Sequence, residues 1–208
     1  LTDSHMFYEP REGHSLPHNP FKAIVAPRPV GWIGTQSKDG AVNLAPYSFF
    51  NAICDTPPMV MFSSSGVKDS VSFIEETSEF TASLVSDHLR SQMNASSVNA
   101  PRGTSEFEYA GLTRAPSRLI AAPRVKEAYA ALECVAVELK RLQDKEGRAT
   151  DNYMVIGEVV GVHIDEQVLT DGLIDIAKAK PVSRLGYMDF ATTESVYQMF
   201  RPKWEDEK

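Results

Sequence analysis

The chain has 208 residues, 42% hydrophobic and 24% charged, which is enough for one buried core and matches an ordinary water-soluble domain. A formal charge of −7 argues against a general nucleic-acid or anionic-membrane role but leaves room for a local basic pocket around a phosphate. No apolar run approaches the roughly 18 residues of a membrane span, and the two cysteines, Cys54 and Cys134, are too far apart for a CxxC or metal spacing and point to a reducing cytoplasm.

Leu1 to His5, ahead of Met6, read as an expression remnant with no secretory pattern. Residues 6 to 27 carry four prolines and two histidines without apolar periodicity, which predicts an arm lying over the body. His14 and His18 have a helical metal spacing, but Pro17 between them argues against the helix and hence against a metal site. The expected organisation is a remnant and arm over 1–19, one domain over 20–202 and a charged, frayed tail over 203–208.

The body reads as strands. Val30 to Thr35 and Ala41 to Ala45 flank Lys38-Asp39-Gly40, whose Asp-Gly pair favours a tight hairpin. Met59 to Ser63 and Phe80 to Val85 follow, then two long runs, Leu132 to Leu142 and Tyr153 to His163, joined as an extended hairpin. The last run is apolar on both faces, with Val155 and Val159 on one and Val160 and Val162 on the other, so it needs cover on both sides. Barrel closure covers one; a second subunit is expected over the other. Short helices are predicted over Lys68 to Thr77, Asp87 to Ser97 and Ser105 to Ala110. The predicted class is mainly β with short helices, distinct from an alternating βαβ nucleotide fold.

Two segments carry the chemistry. In "SSSGVKDSVSFIEET", Ser63 to Thr77, a strand gives way to a helix. The free N–H groups of that helix start, the hydroxyls of Ser64, Ser65 and Ser70 and the Lys68 ammonium would present donors to a phosphate. The alternative is that Ser65 or Asp69 caps the helix while Lys68 is merely solvated. In "APYSFFN", a departure from strand geometry at Pro46 would free backbone groups around Tyr47, Ser48, Phe49 and Phe50 for the polar edge of a planar heterocycle, with Asn51 and Ser48 turned toward the same phosphate. The alternative is that Phe49 and Phe50 are core and Asn51 stabilises a turn. No Walker, GxSxG, HExxH or GxGxxG pattern occurs, and Glu75, Glu76, Glu106 and Glu108 read as solvated helix faces.

In order and spacing, "RPVGWIGTQSKDGAVNLAPYSFFNAICDTPPMVMF", "SSSGVKDSVSFIEET", "EFTASLVS", "GTSEFEYAGLTRAPS", "ALECVAVELKRL", "YMVIGEVVGVHID" and "PVSRLGYMDFATT" resemble the flavin reductase-like, flavoredoxin-like proteins of the FMN-binding split-barrel superfamily. The resemblance spans roughly Pro20 to Pro202. It implies a six-stranded split β-barrel, a homodimer and FMN bound near the dimer interface. On matching positions, Tyr47 to Phe50 would hold the flavin ring through backbone groups, and Ser48, Asn51, Ser64, Ser65, Lys68 and Ser70 would surround the phosphate. Thr35 would line the ribityl side, and Arg184 and Tyr187 are candidates for substrate contact, although Arg184 could instead make a structural ion pair. The implied activity is transfer of hydride from NADH or NADPH through FMN to free flavin or another acceptor, with no catalytic side chain and no metal; the rival is a non-enzymatic flavin-binding electron carrier or storage protein. A barrel holding haem would need an axial ligand, and the body histidines His88 and His163 read as surface or strand-end residues.

Overall fold

A computed structural model describes residues 5–101 and 104–204, so the first four residues expected as a remnant and the last four of the expected tail lie outside the described residues. Strands β1 (Arg28–Pro29), β2 (Gly31–Gln36), β3 (Val42–Tyr47), β4 (Phe50–Asp55), β5 (Pro58–Ser65) and β6 (Glu79–Leu84) come first. The pair β7 (Arg114–Ala115) and β8 (Arg124–Val125) leads to the long hairpin of β9 (Ala130–Gln143) and β10 (Ala149–Ile164). The chain ends in β11 (Leu169–Thr170), β12 (Leu173–Ile174), β13 (Val182–Arg184) and β14 (Phe190–Thr192). The helices are short: α1 (Phe21–Ile24), α2 (Asp69–Thr77), α3 (Arg90–Ala95), α4 (Glu106–Tyr109) and α5 (Ile176–Ala179).

Seven strands form one antiparallel sheet in the order β3-β2-β6-β9-β10-β5-β4. Its two edges, β3 and β4, are joined by Ser48 and Phe49 alone. The three steps from Tyr47 to Phe50 span at most about 10 Å, so the edges come close there and the sheet curls into a barrel split along the β3/β4 seam. Ser63 N–H donates to the Phe49 carbonyl at 2.9 Å and ties the link to β5.

The sheet has seven strands where six were expected, because Phe50–Asp55 pairs with β5 as a further edge strand, and the chain does not leave strand geometry at Pro46. Pro46 remains in β3 opposite Trp32, a position open to proline because β3 is an edge strand. The chain departs at Ser48, and Asn51 lies in β4 opposite Met61. The Lys38-Asp39-Gly40 turn forms as expected, with Gly40 at φ +84 and Ser37 N–H donating to the Ala41 carbonyl at 2.8 Å.

Strand alternation divides the apolar residues between two cores. Ile33, Tyr47, Phe62, Phe80, Cys134 and Val155 fill the barrel, and Ile74 of α2 packs against them. Trp32, Leu44, Val85, Met93, Phe107 and Val125 form a second core outside the barrel, under α3 and α4. Outside the long hairpin, Val137, Val160, Val162 and Ile164 are exposed by 54%, 37%, 60% and 43%, while Val155 on the inner face is fully buried. One chain thus covers one face of β10 and leaves the other open.

Cys134 is buried in the barrel, and its thiol pKa is pushed up to about 12, mainly by burial and also by the charge of Glu133; Cys54 is exposed. A thiol-disulfide reagent at pH 8 should therefore titrate one thiol per native chain and two after denaturation. Two reactive thiols in the native protein would show that Cys134 is accessible.

Residues ahead of β1 contact the body at several points. Arg11 pairs with Glu146 near the tip of the β9/β10 hairpin, and the His18 and Tyr187 rings lie 5.8 Å apart. Buried Arg28 donates to the carbonyls of Lys22, Val25 and Leu185, joining the arm to the segment after β13.

Candidate functional site

The start of α2 carries no side-chain cap. Lys68 occupies the N-cap position in an extended conformation (φ −95, ψ 174), and neither Ser65 nor Asp69 closes the first turn. The alternative in which one of them caps the helix therefore does not hold, and the first-turn N–H groups have no helical partner. Lys68, Asp69 and Ser70 line a cavity of about 250 Å³, which the end of β3 also lines through Asn43, Pro46 and Tyr47. Ser96 to Ala100, after α3, and Glu106 complete the wall.

Behind this cavity lies a buried polar cluster. In β3, Asn43, Ala45 and Tyr47 share one face, and across the pairing with β2 Thr35 stands opposite Asn43. Asn43 Nδ2 donates to Ser70 Oγ at 2.7 Å and to Thr35 Oγ1 at 3.4 Å. The Tyr47 hydroxyl is buried without a well-formed hydrogen bond among the described residues. Burial raises its pKa, the Ser70 and Ser64 hydroxyls are close enough to pull it down, and the charges of Asp69 and Glu106 push it up. A polar atom held next to a cavity in this way fits a ligand that brings its own hydrogen-bonding groups.

Glu106 was expected on a solvated helix face, and the structure overturns that reading. It is only 7% exposed, lines the cavity, and accepts the Leu44 N–H through Oε2 at 3.1 Å. Burial raises the pKa of its carboxyl; hydrogen bonds from its own N–H and that of Leu44 lower it, and the Asp69 charge raises it again. A four-residue helix has no periodic face from which the sequence could have revealed this. Glu108 is exposed and pairs with Arg114, and Glu75 and Glu76 are also exposed.

A second hollow of about 90 Å³ shares Pro46 and Ser97 with the first and is lined by Ser48, Arg184 and Phe190. The Arg184 guanidinium lies 4.5 Å from the Phe190 ring centroid and donates to the Tyr187 carbonyl, and it makes no ion pair among the described residues. Burial and the neighbouring Arg184 charge lower the pKa of Arg28.

The structure thus brings Tyr47, Lys68 and Ser70 to one cavity and Ser48 and Arg184 to its neighbour. Thr35 and Ser64 are fully buried, Ser64 donating to the Gly66 carbonyl at 3.0 Å. Phe49 sits under two cations, with Lys22 Nζ 5.7 Å and the Arg28 guanidinium 5.9 Å from its ring centroid. Phe50 packs against the barrel core, as its core alternative held. Asn51 and Ser65 are exposed and line neither hollow; the Asn51 side chain accepts only the adjacent Ala52 N–H, at 2.9 Å. Tyr187 stands exposed at φ +54. Asn43, which the sequence reading had not placed at the site, lines the cavity; a polar residue on the inward face of an apolar strand was the available signal.

His163 lies at the end of β10 with Nε2 2.5 Å from Oε1 of the buried Glu133, and exposed His88 meets the Glu127 carbonyl. Neither histidine lines the hollows that hold Lys68 and Arg184.

The chain belongs to the flavin reductase like domain family, whose profile matches residues 25–182. It is 36% identical over 169 residues to an uncharacterized protein of Aquifex aeolicus, covering 78% of this chain and 83% of that one. It superposes on nitrilotriacetate monooxygenase component B from Bacillus cereus with a TM-score of 0.85 at 29% identity, covering 95% of this chain and 100% of that one. A split-barrel protein of Shewanella frigidimarina gives 0.82 at 24% identity over 95% and 100%, and it shares the fold. The architecture is a split barrel, and the family places the chain among flavin-related oxidoreductases and electron carriers.

Proposed function

We propose that the protein is an FMN-binding oxidoreductase of the flavin reductase type that takes hydride from NADH or NADPH and passes reducing equivalents to free flavin or another acceptor. The observation that carries this reading is the uncapped start of α2, which faces, together with Lys68 and Ser70, the cavity also lined by the end of β3. Uncapped N–H groups, a hydroxyl and one ammonium suit a phosphate monoester. Lys68 and Ser70 would hold the phosphate, and the seam at Tyr47 and Ser48 would hold the ring.

The bound flavin ring would supply hydride acceptance. The chain's own part is to orient that ring and to control approach to it, with Arg184 beside Ser48 as the contact for the incoming donor. The test is reconstitution with FMN followed by anaerobic mixing with NADH and with NADPH. The expected result is quenched flavin fluorescence on binding, then bleaching of the flavin absorbance by at least one nucleotide. Absence of FMN binding defeats the reading; binding without bleaching makes the chain an electron carrier.

A second copy of the chain is the proposed cover for Val137, Val160, Val162 and Ile164, since an open apolar face on a long hairpin is what an isologous interface buries. Light scattering should give the mass of two chains. Replacing Val162 by Lys should shift the mass toward one chain; an unchanged dimer would place the interface elsewhere. A buried unpaired thiol and an exposed free one suit a reducing cytoplasm, the proposed location.

A further inference from the structure

The cavity beside Lys68 is not a simple anion site. Among the described residues Lys68 is the only cation on its wall, while Asp69 and Glu106 both contribute carboxylates. A phosphate satisfied at the Lys68 end would face repulsion if the ligand's charge continued toward Glu106. Acceptors line the same cavity. Glu106 spends Oε2 on the Leu44 N–H, and its Oε1 makes no hydrogen bond to another residue among those described. Asn43 directs Nδ2 to Ser70 and Thr35, which leaves Oδ1 as its available acceptor. Two acceptors that line a cavity, one of them a carboxylate, suit donors brought by a ligand.

We propose that Glu106, supported by Asn43, is a binding residue for the hydroxyl groups of a sugar-alcohol chain whose phosphate end lies at Lys68. This rests on the flavin reading and adds to it a residue for the polyol part of the cofactor. Hydroxyls are the donors that suit the site, because they satisfy carboxylate and amide oxygens without adding charge next to a phosphate.

Three flavins separate the parts of the ligand: lumiflavin has the ring, riboflavin adds the ribityl chain and FMN adds the phosphate. Fluorescence titration of the full chain with each, for the natural protein, Glu106→Ala and Glu106→Gln, reads the site without requiring turnover. Glu106→Gln keeps an acceptor for the Leu44 N–H and so guards against misfolding. In Glu106→Ala, riboflavin affinity should fall about tenfold while lumiflavin affinity stays within twofold, the loss expected for one hydrogen bond to a charged group. Glu106→Gln should show a smaller loss of the same pattern. Equal weakening of lumiflavin and riboflavin, or no change in either, overturns the assignment while leaving the flavin reading intact. Failure of the natural protein to bind any of the three overturns both.

Discussion

Replacing Lys68 by Ala should weaken FMN binding roughly tenfold and leave riboflavin binding unchanged. The side chain lines the cavity at the uncapped start of α2, so it adds an ammonium to free N–H groups that favour an anion. A charge-assisted hydrogen bond contributes about 1.5–3 kcal/mol, and tenfold corresponds to about 1.4 kcal/mol. Lys68 is exposed in the free chain, so water screens its charge and the lower end applies. The loss should grow smaller as salt rises. Parallel fluorescence titrations with the two flavins check this, and equal weakening of both would mean that Lys68 acts on the fold and not on phosphate.

Replacing Glu133 by Ala should destabilise the protein by about 3 kcal/mol, equivalent to a melting shift of roughly 6–12 °C in a chain of this size. Glu133 is fully buried in β9 and accepts three hydrogen bonds: from the N–H groups of Arg118 and Leu119, each at 2.7 Å, and at His163 Nε2 at 2.5 Å. It pins the loop before β8 and the end of β10 to one carboxylate, and truncation leaves those donors without a partner. Burial raises the pKa of Glu133, but the His163 bond, the two amides and the His163 charge together outweigh it, so the net shift is downward. A depressed pKa in the folded state contributes stability above the unfolded value, near 4.3, that is lost as pH falls through the folded value. Urea denaturation at pH 5 and pH 3, both below the ordinary histidine range, should therefore show Glu133→Gln closer to the natural protein at the lower pH. A gap that widens on acidification would reverse the sign and refute the account.

The β-rich class, the three principal helices and the long hairpin were legible because each is a local pattern. Short apolar runs bounded by turn residues marked β2, β3, β5 and β6, the Asp-Gly pair marked the first turn, and α2 shows its stripe in Val71 and Ile74. The resemblance to the flavin reductase-like family rested on those segments in order, and the family profile spans most of them. The polar residues of the site were only partly legible. Ser48, Lys68 and Ser70 carry donors suited to a phosphate, but the same logic enlisted Asn51 and Ser65, which the structure leaves exposed and away from the hollows.

The sequence by itself determined the strand periods, the turn, the helix starts and the pairing of a lysine with a helix N-terminus, since these depend on side chains within a few residues of one another. Only the tertiary structure decided that β4 is a strand, that Asn51 faces solvent, and that Glu106 and Asn43 look into the Lys68 cavity. The reason is geometric: β3 and β4 lie at opposite edges of one sheet, and curling that sheet brings together residues that no local period relates. Glu106 and Leu44, 62 positions apart, meet because α4 packs outside the barrel against β3, a contact set by burial of Phe107 and Leu44 in a shared core.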